Sequence, residues 1–263
     1  MDHHPIEQAE DGIIQIEDDV DSSYGDYSDV ASGTTSLYSQ ITSHVYENGR
    51  RYNGWRYGTY WYVARLVSVK GLKAEHSRGP NDEQASDNLD LFHHVFNLTF
   101  GGRTFLAPIG DNPQRVLDLA EISVVAQSDD SSLKGTAIER WGPLAHKVGD
   151  VFGKSFRIVD EMTDMIKSAG FVNVKKRTFK WPIGTWPKDP KLKEIGLYNK
   201  LGWEEGLDGW ANFLFTNYLG WTLEEVQVLT AHIRNDLRNP KVHAWQHVTV
   251  CYGQKPTAKK VKD

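Results

Sequence analysis

The segment RVLDLAEISVVAQSDDSS, Arg115–Ser132, constrains this chain more than any other stretch. Val116-Leu117-Asp118-Leu119 is a short apolar run that carries an acid near its end, and it reads as the first strand of an α/β sheet. A strand in that position runs into a glycine-rich turn, where the missing Cβ lets a bound group approach the backbone. Here Ala120 and Glu121 follow instead, and Ile122–Val125 forms a second strand candidate. The first glycine after Val116 is Gly135. The turn on which such a fold depends is therefore not encoded.

Periodicity and caps organise the rest of the chain. Asp82 through Phe100 reads as a helix, with Leu91, Val95 and Leu98 at helical spacing and Phe92, Phe96 and Phe100 beside them. Ser132–Phe152 and Val159–Ala169 read as two further helices, and Gly170 stands where a left-handed cap belongs. Phe171–Phe179 reads as a strand. Leu192–Leu219 reads as helical but interrupted by glycines. Thr222 and Glu225 form a capping box ahead of a helix that Asn239-Pro240 ends. Val248, Val250 and Tyr252 alternate as a terminal strand. His44–Trp61, aromatic and punctuated by glycine, reads as a packed loop with short helical turns.

Charge divides the chain. Residues 1–49 hold 11 Asp and Glu and no Lys or Arg, while the remainder holds 24 acids against 30 bases. Residues 1–43 read as a disordered acidic tail, 44–256 as one folded domain and 257–263 as a basic tail. The one cysteine, Cys251, cannot form an intrachain disulfide. With no export signal or membrane-length apolar run in view, the chain is expected inside the cell, in nucleus or cytoplasm, away from membranes. Lys175–Lys180 reads as a solvated strand face, and no direct nucleic-acid contact is expected.

Several chemistries lack their residues. His93 and His94 are adjacent, so on a helix they point about 100° apart and cannot share a metal. His243 and His247 are separated by roughly 13 Å if they lie in a strand. HExxH, CxxC, GxSxG and P-loop patterns are absent. No catalytic base and no metal set can be named.

Six segments, in order, carry a family resemblance. They are YENGRRYNGWRYGTYW, PNDEQASDNLDLFHHVFNL, NPQRVLDL, SDDSSLKGTAIERW, AGFVNVKKRTFKWPIGTWPKDPKLKEIGLYN and HAWQHVTVCYGQKP. Together they resemble the fungal LaeA-like class I methyltransferases, a group that includes a regulator of secondary metabolism. The resemblance implies a Rossmann-like α/β fold that binds S-adenosylmethionine, here truncated to a partial sheet with flanking helices. In the family VLDL continues into GTGTGIW or GCGTGIW; in this chain EISVVAQSDDSS follows Ala120 and resembles the family's fifth strand. Three strand–helix units, about 90 residues, are thus missing at the 120/121 junction. A second departure is an apparent insertion at 62–79. Both breaks are abrupt and their flanks match well, the pattern left by a retained intron and a skipped exon.

Site residues follow from the resemblance by position. Asp118, Leu119 and Ala120 occupy the place of the cofactor turn, although Asp118 alone could serve only to cap it. Tyr60 and Arg51 fall in a segment that resembles the family's cover over the cofactor, with packing as their other role. His94 either faces the pocket or is a satisfied core histidine. Tyr198, Trp210 and His243 fall where an acceptor, small molecule or protein, would bind. Two function classes stand: an S-adenosylmethionine-dependent methyltransferase, and a non-catalytic remnant that contacts a regulatory protein partner. Loss of three units predicts a marginal or aggregation-prone core.

Overall fold

The computed structural model describes residues 12–16, 44–53, 82–109 and 116–256. Its centre is a three-stranded sheet built from β3 (Val116–Gln127), β4 (Val172–Pro182) and β5 (Trp245–Gln254), in the order β3-β5-β4 with both pairs antiparallel. The described residues form five helices: α1 (Glu83–Phe100), α2 (Ala137–Phe152), α3 (Ile158–Ser168), α4 (Pro190–Tyr218) and α5 (Leu223–Arg238). A separate hairpin joins β1 (His44–Glu47) to β2 (Arg50–Asn53). The expected α/β fold, with a small sheet and flanking helices, is present. Among the described residues no strand pair is parallel.

Local sequence accounts for the helix ends. Asp82 caps α1 by accepting from the Ala85 N–H, and Gly101 (φ 63°) ends it in the left-handed conformation. Both halves of the Thr222–Glu225 capping box form at the start of α5. α2 begins later than the sequence suggested, because Thr136 supplies its cap and residues 132–135 form a turn.

Three sequence expectations change. His44–Asn53 is a β-hairpin and not a loop with helical turns: Asn48 and Gly49 both adopt positive φ (51° and 77°), which is what a two-residue hairpin turn demands. Val116–Gln127 is one twelve-residue strand and not two, because β5 offers partners along its length apart from a register shift between Ile122 and Ala126. α4 runs unbroken for 29 residues, and its glycines are points of close approach. A Cβ on Gly202 would sit 2.9 Å from the Phe92 ring, and one on Gly196 would strike the Gly184 carbonyl oxygen.

The sheet buries both faces. Val248, Val250, Phe179 and Trp181 meet Phe92, Val95 and Phe100 of α1 and Ile195 of α4. On the other face Leu117 and Cys251 meet Met162 and Ile166 of α3. Beyond the end of β3, α2, α5 and the second half of α4 pack into a helical lobe around Trp141, Leu207, Phe215 and Ile233. Within the acidic N-terminal stretch, Ile14 is buried against Trp186, Leu192 and Trp245, and Ile16 bridges to Pro187. The apolar island Ile13–Ile16 sets residues 12–16 apart from the tail around them. Among the described residues no helix is long and apolar enough to cross a membrane.

Candidate functional site

A cavity of about 870 Å³ opens alongside β3. β3 is an edge strand: β5 takes one side and no described strand takes the other. α1 supplies Phe92, Phe96 and Phe100, four residues apart and so on one helix face. α2 supplies Trp141 and Ala145, and α4 supplies Trp203, Trp210 and Leu214. The aromatic rings support one another. Trp141 lies 5.8 Å from Trp203 and 6.3 Å from Trp210, and Phe92 lies 6.1 Å from Trp210, centroid to centroid.

Most polar groups in the lining are already engaged. Trp203 Nε1 donates to Gln246 Oε1 (2.6 Å), and Gln246 Nε2 donates to the Ser123 carbonyl (3.2 Å). His93 Nε2 pairs with Asn97 Nδ2 at 3.1 Å. Asp118 Oδ2 accepts from the N–H groups of Leu106 (2.9 Å) and Ala107 (2.7 Å). Burial pushes the Asp118 pKa up, and those two N–H groups oppose the shift without cancelling it.

Glu121 is different. It lines the cavity from β3, is half-buried, and has no side-chain hydrogen bond or ion pair among the described residues. Loss of hydration alone pushes its carboxyl up to about 7. Such a group changes protonation near neutral pH. Among the described residues no second carboxylate or nucleophile stands within hydrogen-bond reach of it to complete an acid–base pair. Cys251 lies on the same sheet face as Glu121, beside Leu119, but it is buried under α3, where its Sγ lies 3.1 Å from Thr163 Oγ1.

The residues selected from the sequence divide between the cavity and other places. Asp118, Ala120 and Trp210 line it. Leu119 lies on the face covered by α3. The Arg51 N–H donates to Asp82 at 3.3 Å, beside the Arg50–Asp82 ion pair that ties the hairpin to the start of α1. Burial disfavours the Asp82 anion, but Arg50 and the Ala85 and Arg51 N–H groups outweigh that and lower its pKa. His94 is exposed and stands edge-on to Tyr198 at 4.4 Å, outside the cavity. His243 bonds Asp130 through Nδ1 and stacks near Trp186, also outside it. Tyr60 lies outside the described residues. The cavity residues that sequence reading passed over are Glu121, His93, Arg103 and the Trp141–Trp203 pair. The one available signal was a second acid, Glu121, three residues after Asp118 in a largely apolar strand.

The local geometry does not fit S-adenosylmethionine. Leu119, Ala120, Glu121 and Ile122 pair in sequence with Cys251, Val250, Thr249 and Val248, so the backbone at the expected turn is extended. The chain makes no glycine cradle there, and the Asp118 carboxylate is committed to the 106–107 loop.

Comparison with known proteins returns fungal relatives. The chain is 25% identical to methyltransferase pytC of Aspergillus terreus, over 87% of this chain and 93% of the relative. It is 29% identical to the probable methyltransferase tdiE of Emericella nidulans, over 54% of this chain and 45% of the relative. It is 28% identical to the secondary metabolism regulator LAE1 of Cochliobolus heterostrophus, over 52% and 45%. No family model and no solved structure matches. These relatives are methyltransferases and regulators of secondary metabolism, as the six motifs implied. The pytC match spans 318 residues, whereas 87% of 263 is about 229; roughly 90 aligned positions therefore have no counterpart here.

Proposed function

We propose that this relative of fungal methyltransferases and LaeA-type regulators acts by binding and transfers no methyl group. One observation carries the reading. At the position where the family places its glycine turn, β3 passes straight through, paired residue by residue with β5 from Val116 to Ile122. A donor nucleotide needs backbone N–H groups that converge on it, and those of an extended ladder do not converge.

The sheet edges favour contact with a partner. β4, at one edge, carries Lys175, Lys176, Arg177, Lys180 and Pro182, residues that discourage strand addition. β3, at the other, carries no Lys, Arg or Pro in twelve residues. A bulge between Ile122 and Ala126 and the close approach of α2 to Val125 guard its second half, which leaves Val116–Ile122 as the stretch that another chain can extend. A regulatory protein partner is thus the better supported of the two classes of function read from the sequence.

The methyltransferase reading draws on the extent of the pytC match, 93% of that protein. Isothermal titration of the full chain with S-adenosylmethionine separates the two. Absence of saturable heat supports a binding protein. A one-to-one isotherm in the micromolar range overturns that reading and restores the enzyme.

A further inference from the structure

We infer that the cavity beside β3 is a binding site for a flat, apolar ligand bearing one positive charge, such as an aromatic amine, with Glu121 as its counter-ion. This goes beyond the reading above and does not depend on it.

Three observations combine. The first is size: about 870 Å³ lies within the range of small-molecule sites, which hold a ligand by apolar walls and a few directed polar groups. The second is the walls. Phe92, Phe96, Trp141, Trp203 and Trp210 present ring faces and edges, which favour flat ligands and also attract cations to the ring face. The third is polar accounting. Asp118, Gln246, Asn97 and His93 are joined to protein partners, and Asp90 is exposed. Glu121 alone among these groups is half-buried with no partner among the described residues.

The other charged lining residues are Arg103, after α1, and Lys154, after α2; α3, α4 and β5 contribute only uncharged lining groups. A bound amine beside Glu121 would complete the ion pair that the protein does not supply. It would also keep the Glu121 carboxylate ionised. A ligand carboxylate would meet a like charge there, and a neutral isostere would gain only the apolar contacts.

The test uses the full chain and three probes of one shape: naphthylmethylamine, naphthylmethanol and naphthoic acid. Binding is measured at about pH 8 by titration calorimetry. Near-UV circular dichroism of the tryptophans reports whether each probe reaches the aromatic wall. The amine is expected to bind about tenfold tighter than the alcohol, and the acid weakest. Glu121→Gln should erase the preference for amine over alcohol while leaving alcohol affinity within about twofold. The wild-type comparison among probes needs no variant, so a misfolded E121Q protein would not rescue the idea. Equal affinity for amine and alcohol, tighter binding of the acid, or no binding of any probe would overturn it. The probes contain neither nucleoside nor sulfonium, so this outcome is separate from that of the S-adenosylmethionine titration.

Discussion

Replacing Glu121 with Gln should make the protein more stable at neutral pH and leave it nearly unchanged in acid. The unfolded chain ionises this carboxyl near 4.5, and the folded chain ionises it near 7. Below 4.5 both states hold the proton, and no penalty exists. Between 4.5 and 7 the unfolded state loses the proton first, so wild-type stability falls as pH rises. Above 7 the folded state carries the full cost of a dehydrated anion. A displacement of that size corresponds to about 3 kcal/mol. Glu121 is half-buried and opens on a cavity, so the realised figure is about 1–3 kcal/mol. Gln has nearly the same shape and no charge, which isolates this one term; the other titrating groups are common to both proteins. Urea unfolding followed by tryptophan fluorescence, at steps from about pH 4 to pH 8, gives the difference directly. The gap between E121Q and wild type should be near zero at the acid end, open through the window and level off above 7. A gap independent of pH, or a variant less stable than wild type at pH 8, would refute the assignment of an unpartnered, dehydrated carboxyl.

Three other outcomes are expected. Asp118→Ala removes the acceptor for the Leu106 and Ala107 N–H groups and should cost roughly 2 kcal/mol in thermal unfolding, while Asp118→Asn, which keeps an oxygen, recovers much of it. Gly196→Ala gains about 1 kcal/mol of helix propensity, but the new Cβ meets the Gly184 backbone carbonyl, which cannot swing aside; a net loss of about 2 kcal/mol is expected by urea unfolding, and a gain would show that the α4–Gly184 contact is looser than described. Because β3 carries no Lys, Arg or Pro along its open edge at Val116–Ile122, particle size by dynamic light scattering should grow with protein concentration; a constant size would show that this edge is already covered.

Much of the helical framework was legible because its signals are local. The caps at Thr222 and Gly170 and the stripe Phe92–Phe96–Phe100 depend on neighbours within a turn or two. Non-local features were harder to read. The glycines of α4 looked like interruptions, since their reason for being there, the ring of Phe92 and the carbonyl of Gly184, lies far away in sequence. The hairpin was signalled by Asn48-Gly49, but the surrounding aromatic and glycine residues obscured the strand pattern. At the 120/121 junction the family resemblance directed attention to two separate strands. Ala120 and Glu121 are both compatible with extended backbone, and β5 pairs across them. The cavity was the least legible feature of all, because its walls come from four helices, two strands and the loops between them. Asp118, Ala120 and Trp210 were reached by position in the family, while Glu121 is visible only once Phe156 and Ile158 are seen to stand with it in the lining.

Amide hydrogen exchange across Leu117–Val124, with and without S-adenosylmethionine, tests most directly whether this junction is strand or binding turn. The amides directed at β5 should exchange slowly in the free protein, and the donor should leave every rate in the segment unchanged. Fast exchange at Leu119–Ile122 that becomes slow when S-adenosylmethionine is added would show a turn that closes on the donor, and would contradict a continuous strand.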